Sequence, residues 1–150
     1  MHRQEQEAGW TLVELIVVLG IVAMLFAMSL PSLLGIRRNS FDMQVKMELT
    51  NAAKATAAIE ADLDRYPEDP AWLSAVMPEL DFSGTGARSI HVLTGDVGAA
   101  IDAQVLLYSQ SVTGQWFGLR LVREGPDGGR HTCRGEVGEM TLEACSGVAW

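Results

Sequence analysis

The sequence predicts an α+β fold in which one long N-terminal helix packs against a small antiparallel β-sheet. Three patterns indicate this fold. Residues 15–36 form an apolar run without a charged side chain, an amphipathic helical pattern follows, and alternating strand patterns fill the second half of the chain. The first half of the helix is therefore expected to be apolar on all sides, and the second half to bury one face against the sheet.

The apolar run is long enough to cross a membrane. A helix over residues 15–36 would extend about 33 Å, against a hydrocarbon core of about 30 Å. An ordinary secretory signal peptide has a shorter apolar core that ends at a small-residue cleavage site, and residues 23–27 offer no such site. We therefore expect the helix to be retained as a single membrane span.

One carboxylate, Glu14, lies at the start of this run. No basic side chain accompanies it there, and an unpaired charge inside a bilayer costs about 2.5–3.5 kcal/mol or more. The pattern predicts a partner outside its own segment. The alternative is that Glu14 lies at the membrane interface of a single-pass anchor.

The helical pattern continues beyond the apolar run to about Asp64. Tyr66-Pro67 ends it, because a residue before proline is disfavoured in a helix. Pro31 lies inside the predicted helix, which runs from Trp10 to about Asp64, and predicts a kink. Apolar or small residues recur at steps of three and four and form one stripe: Phe41, Val45, Leu49, Ala52, Thr56, Ile59 and Leu63.

The remainder of the chain reads as a short helix followed by strands. The helix is predicted over residues 71–77, and Thr113-Gly114 is a hairpin signal. Phe117, Leu119 and Leu121 share one face of the last predicted strand. Alternation predicts the strands themselves over residues 89–93, 105–112 and 115–123. A sheet of these strands would cover the amphipathic half of the helix.

The segment around Glu14 resembles the class III signal of type IV pilins and of type II secretion pseudopilins. That signal is a short polar leader ending in Gly, a hydrophobic or aromatic residue, Thr-Leu-Val-Glu-Leu and a long apolar helix. Trp10 stands where the family usually has Phe, and Pro31 where many members carry proline. The residues that match position for position are Gly9, Thr11, Leu12, Val13, Glu14 and Leu15.

The resemblance implies a role for each of these residues. A prepilin peptidase would cut after Gly9 and methylate the new terminus on Trp10. Glu14 would then pair with the terminal amine of a neighbouring copy, and a membrane-embedded assembly platform protein would be a further partner. The chain would comprise a leader, a transmembrane and assembly helix, its amphipathic continuation and a globular domain, over residues 1–9, 10–36, 37–64 and 65–150.

The resemblance also implies an orientation in the cell (inner) membrane. The leader would lie in the cytoplasm, the C-terminal domain outside it, and the assembled filament outside the cell. The basic residues favour the reverse orientation, because Arg37 and Arg38 follow the apolar run and Arg3 alone precedes it. The motif is the more specific signal, and we follow it.

Cys133 and Cys145 are the only two cysteines. They look like the ends of the C-terminal disulfide-bounded loop of many type IV pilins, and the implied topology places them where a disulfide persists. Such a bridge would contribute roughly 3 kcal/mol. A zinc site that includes His131 and a pair of free buried thiols are the alternatives.

Catalytic motifs are absent from the sequence. It has no phosphate-binding loop, no G-x-S-x-G and no H-E-x-x-H, so we expect neither enzymatic activity, nor a cofactor, nor a resident metal. The alternative to a chain without metal is a surface calcium site formed by Asp96, Asp102 and Asp127. These residues do not form the Asp-x-Asp pattern typical of such sites.

The net charge of −8 disfavours nucleic-acid binding by the monomer, because an acidic surface repels phosphates. Four arginines lie close together in sequence, and we expect them to form a solvated sheet edge. The alternative is a local basic patch on an assembled fibre. The four are Arg120, Arg123, Arg130 and Arg134.

The resemblance implies two functions, and the apolar segment by itself allows a third. The favoured one is a structural subunit of a type IV pilus-like filament, held in membrane lipid and polymerised with copies of itself and related pilins. The second is a pseudopilin of a type II secretion or DNA-uptake system. The third is a monomeric signal-anchored domain that binds a ligand outside the cell, which requires neither cleavage after Gly9 nor Glu14.

Overall fold

The computed structural model describes residues 10–86, 88–98, 100–123, 125, 127–135, 140–145, 147 and 150, with the backbone alone at 30–34, 101 and 102. Its elements are α1 (Leu12–Leu63), α2 (Pro70–Val76), β1 (His91–Val97), β2 (Ala100–Gln110), β3 (Trp116–Val122) and β4 (Gly129–Gly135). The predicted α+β class is confirmed. The predicted leader, Gly9 included, lies outside the described residues.

Contacts divide the chain into two units, with the boundary between Arg38 and Asn39. The second unit holds the second half of α1, α2 and the whole sheet. The finer division into residues 10–36, 37–64 and 65–150 stays a prediction.

The predicted stripe on the second half of α1 is the helix face that enters the core. Phe41 and Leu63, at its two ends, remain 44% and 48% exposed. Thr56 is the polar member, and its hydroxyl donates to the carbonyl of Ala52 at 2.9 Å, which satisfies it inside an apolar environment. The five buried members are Val45, Leu49, Ala52, Thr56 and Ile59.

Both helices end or begin at recognisable local signals. Asp64 adopts φ of 55°, a left-handed conformation that cannot continue α1, and its N–H still donates to the Glu60 carbonyl at 2.8 Å. The side chain of Asp69 accepts from the Ala71 N–H at 2.8 Å and caps α2, whose first residue is Pro70.

The four strands form an antiparallel meander in the order β1-β2-β3-β4. The predicted inward face of β3 is confirmed, because Phe117 and Leu119 are buried in the same cluster as the α1 stripe and Leu121 packs against it. Val105 and Leu107 of β2 join that cluster. Thus the sheet covers the amphipathic half of α1.

Strand β4 was not predicted from the sequence. Its residues, Gly129–Gly135, carry two arginines and a histidine and do not alternate between apolar and polar. The strand is held by its backbone ladder to β3, where Phe117 pairs with Arg134 and Leu121 with Arg130. An edge strand of this kind depends on pairing more than on burial, so the hydrophobic pattern does not reveal it.

The other face of the sheet is covered by the C-terminal segment. Cys133 and Cys145 form the disulfide that the resemblance implies, which excludes a zinc site using both thiols. The bridge lies against Gly118, where an added Cβ would approach the Cys133 Sγ to 2.6 Å and the Met140 Sδ to 3.2 Å. Leu106 completes this second cluster.

Three aromatic rings lie together on the same face, and two of them stack. His91 lies parallel to Tyr108 with centroids 4.6 Å apart, and Trp116 lies 5.6 Å and 5.7 Å from the two rings. Burial lowers the pKa of His91 and raises the pKa of Tyr108. The stack therefore favours the neutral imidazole.

The buried stripe of α1 predicts a large cost for truncation. Leu49→Ala should lower the free energy of unfolding by about 2–5 kcal/mol, because it opens a cavity in the core. Met47, on the same helix and 64% exposed, provides the control, and Met47→Ala should change it by less than about 0.5 kcal/mol. Denaturant titration of the full chain in detergent, followed by tryptophan fluorescence, measures both. Equal losses would contradict the assigned burial.

The lowered pKa of His91 predicts a pH dependence of stability. Below about pH 6.5 the unfolded chain takes up a proton at this residue more readily than the folded chain, so stability falls as the pH drops from about 7.5 to 5. His91→Phe keeps a stacked ring and should flatten the decline, whereas Tyr108→Phe should leave it unchanged. Thermal unfolding at several pH values measures the slopes, and an unaltered slope in His91→Phe would refute the assignment.

Candidate functional site on the N-terminal helix

The first turn of α1 contains a reciprocal pair of side-chain bonds. The Oε2 atom of Glu14 accepts from the backbone N–H of Thr11 at 3.0 Å and from its hydroxyl at 2.8 Å. The Glu14 N–H in turn donates to the Thr11 Oγ1 at 3.3 Å. This is a capping box, in which two amide groups unpaired at a helix start find side-chain acceptors.

The structure therefore gives Glu14 a hydrogen-bonding partner on its own segment, and its pairing with the terminal amine of a neighbouring copy stays a prediction. Thr11 supplies two donors, and the signal for it was present in the sequence as Thr-x-x-Glu ahead of an apolar run. A search for opposite charge alone overlooks it. Both bonds go to Oε2, so Oε1 takes no part in the capping box.

The capping box does not neutralise the carboxylate. An amide and a hydroxyl stabilise it by hydrogen bonding but add no positive charge. The ion pairs among the described residues join Arg65 to Glu68, Arg88 to Glu48 and Arg123 to Asp64. Within that part of the chain, Glu14 therefore has hydrogen-bond donors but no countercharge.

The helix that follows Glu14 is apolar and uncovered. The stretch Leu12–Ser29 is long and apolar enough to cross a membrane, and none of its residues is buried within the chain. The Ser29 hydroxyl donates to the carbonyl of Leu25 at 2.9 Å, so this polar side chain is satisfied without water. A continuous apolar surface of this size marks an interaction with lipid or with another protein surface.

The remaining predicted residues of this segment are placed only in part. Trp10 lies just before α1 with its ring exposed. The backbone of α1 is helical through Pro31, whose side chain lies outside the described residues. The kink at Pro31, the cleavage after Gly9 and the methylation of Trp10 stay predictions.

The four arginines that are close in sequence do not form one basic patch. Arg120 donates to the Gln104 Oε1 at 2.6 Å and 3.0 Å, and Arg123 lies 3.1 Å from the Asp64 carboxylate. Arg120 lies on the disulfide-covered face of the sheet, whereas Arg130 and Arg134 both lie on the opposite face, which packs against α1. Strand alternation separates what the sequence places together.

The calcium alternative gains no support from the described side chains. Among them, no three metal-binding residues lie together. The Asp102 side chain is outside that set. His131 is engaged locally, with its Nε2 2.7 Å from the Asp127 carbonyl oxygen.

One curated relative is similar to nearly the whole chain. The type IV wide pilus major component PilA4 of Thermus thermophilus is 26% identical over 137 residues, which cover 91% of this chain and 95% of the relative. The resemblance to the type IV pilins is confirmed. The pilin similarity extends far beyond the N-terminal signal and includes the sheet domain. No protein-family model matches the chain.

Proposed function

We propose that this chain is a structural subunit of a type IV pilus-like filament. The observation that carries the proposal is the first half of α1, an uncovered apolar helix with a single carboxylate in its first turn. The similarity to a major pilus component over 91% of the chain supports it and favours a pilus over a secretion pseudopilus. The proposed role is structural rather than catalytic.

Processing would create the countercharge that Glu14 lacks. Cleavage after Gly9 would leave the amine of Trp10 at the start of α1, one residue before Thr11. A cationic amine at that position is opposed by the helix dipole and by apolar surroundings. Methylation would keep its charge. In apolar surroundings the Trp10 amine would thus need a negative partner and the Glu14 carboxylate a positive one.

A parallel neighbour, shifted along the helix axis, would bring these two charges together. The capping box can persist in that pair, because a carboxylate offers about four lone-pair sites and the capping bonds occupy Oε2 alone. In a low-dielectric interior, loss of one partner costs about 3–5 kcal/mol, so the pair would also fix the axial register.

The apolar surface of α1 would have two successive environments. Lipid would cover it while the subunit waits in the cell membrane, and the helices of neighbouring copies would cover it in the filament. A prepilin peptidase and a membrane assembly platform protein would act between these states. The disulfide between Cys133 and Cys145 suits a domain outside the cytoplasm.

Mass spectrometry of the mature N-terminus tests the processing step. Sheared filaments should yield a chain that begins at Trp10 and carries one additional methyl group. Chains that begin at Met1 in assembled material would overturn the proposal. The ladder of fragment ions identifies the terminus independently of the mass of the whole chain.

Two substitutions separate the charge of Glu14 from its capping role. Glu14→Gln keeps an oxygen that can accept from Thr11 but has no charge, so filament yield should fall at least tenfold. Thr11→Val keeps the charge and loses the cap, which is worth about 1 kcal/mol, so its yield should fall less. Thr11→Ser is the matched control and should assemble normally.

The measurement is the amount of subunit in sheared filaments divided by the amount in whole cells. Wild-type yield from Glu14→Gln together with a severe loss in Thr11→Val would show that the residue serves as a helix cap alone. That outcome would remove the assembly role from Glu14.

A further inference from the structure

A shallow groove lies on the side of α1 that faces away from the core. It belongs entirely to the second unit of the chain and has a volume of about 260 Å³. Its lining consists of Met43, Lys46, Met47, Thr50, Asn51 and Lys54. This face lies opposite the buried hydrophobic stripe. It differs from an ordinary solvated helix surface because it carries two methionines beside its two lysines.

The groove is basic although the chain is acidic. Both lysines of the sequence lie on its rim, and none of its lining residues is acidic. Arg130 reaches the same place from β4, where its Nη2 donates to the Thr50 Oγ1 at 3.1 Å. Three cations thus gather on one face of a chain whose net charge is −8.

Two of these cations are held in position. The Lys46 Nζ lies 4.9 Å from the ring centre of Phe117 and 5.9 Å from that of Trp150, and such contacts orient an ammonium group. Arg130 is oriented by its bond to Thr50. Because their side chains are already restrained, a partner would find the groove largely preformed.

The groove also has an apolar floor. Met43 and Met47 are 60% and 64% exposed. Methionine adapts its flexible side chain to an opposing surface. A surface that combines exposed methionines with restrained cations fits a protein partner of small and acidic residues.

The next two turns of α1 have that composition. Ala57, Ala58 and Ala61 are exposed there, together with Asp62. Among the described residues Asp62 belongs to none of the ion pairs. A carboxylate in the last turn of a helix is opposed by the dipole, and α1 has no basic residue in that turn. An intermolecular partner would offset this local cost.

We propose that the basic groove of one copy receives the small, acidic surface around Asp62 of a second, parallel copy. This inference rests on the proposed function and adds a second contact to it. Lys54 lies about two turns before Asp62, and a lysine side chain spans about one turn in either direction, so the copies would be offset by one to three turns. The two surfaces are different patches of the chain, and such a head-to-tail contact propagates into a filament instead of closing into a dimer.

A nucleic acid is the less suitable occupant. Phosphates would use Lys46, Lys54 and Arg130 but would gain nothing from Met43 and Met47. The acidic remainder of the chain would repel a polyanion, whereas it would attract the groove of another copy.

Charge reversal tests the contact. Lys54→Glu and Asp62→Lys should each lower the filament yield per cell at least tenfold, and the double variant should recover to within about threefold of wild type. Asp62→Lys replaces an acid with a base in the last turn of α1, and this change favours the helix. A loss of filaments in this variant would therefore point to a lost contact and not to unfolding of the helix. Glu79→Lys makes the same change of charge at an exposed residue outside both surfaces and should assemble normally.

Proximity between copies is tested directly in filaments that contain two differently tagged full-length chains. One chain carries Lys54→Cys and the other Asp62→Cys. A thiol-specific bis-maleimide about as long as a lysine side chain should produce a dimer carrying both tags, and chains that all carry one substitution should give no such dimer. Absence of the mixed dimer from assembled filaments would overturn the proposal.

The outcomes also separate this inference from the function on which it rests. If Glu14→Gln abolishes filaments while both charge reversals assemble normally, the proposed function stands and the groove contact is wrong. If wild-type chains form no filaments, the proposed function itself fails. If Lys54→Glu instead weakens the retention of duplex DNA by filaments without changing their yield, the groove is an anion site and not a subunit contact.

Discussion

The fold depends on a helix that its own chain covers along only part of its length. From Leu12 to Ser29 no residue of α1 is buried, while Val45, Leu49 and Thr56 in the same helix are fully buried. The second half has the sheet to pack against, and the first half must take its cover from outside. Apolar surface of this extent is not stable in water, so lipid or other protein chains must cover it.

The carboxylate in the first turn shows how a polar group is managed under that constraint. Thr11 provides hydrogen bonds, which lower the cost of keeping Glu14 in an apolar setting. It cannot provide charge. In the proposed filament, the same side chain would begin the helix through its bonds to Thr11 and offer its Oε1 atom to a cation from another copy.

Much of the fold could be predicted from sequence because the long helix has strong local signals. The structure places its ends within two residues of those expected, and the stripe from Val45 to Ile59 enters the core as the spacing indicated. The weaker predictions concern elements held by long-range pairing. β4 has no hydrophobic alternation, and β2 begins at Ala100, earlier than expected, because its ladder with β1 extends past the apolar residues.

The candidate site was predictable in its residues but not in their bonds. Glu14 stood out by its charge, whereas its link to Thr11 follows from helix-start geometry that a search for charged partners does not consider. The basic groove was not predicted at all. Lys46 and Lys54 are separated in sequence from Arg130, and only the packing of β4 beside α1 brings the three together.

The two apolar clusters of the sheet domain share no residue. The cluster between α1 and the sheet contains no disulfide, whereas the one around Gly118 contains the bridge between Cys133 and Cys145. If the sheet domain is exported as proposed, the bridge can form after export, in a compartment where thiols are no longer kept reduced. A newly made subunit would acquire its main architecture first and be locked by its bridge afterwards.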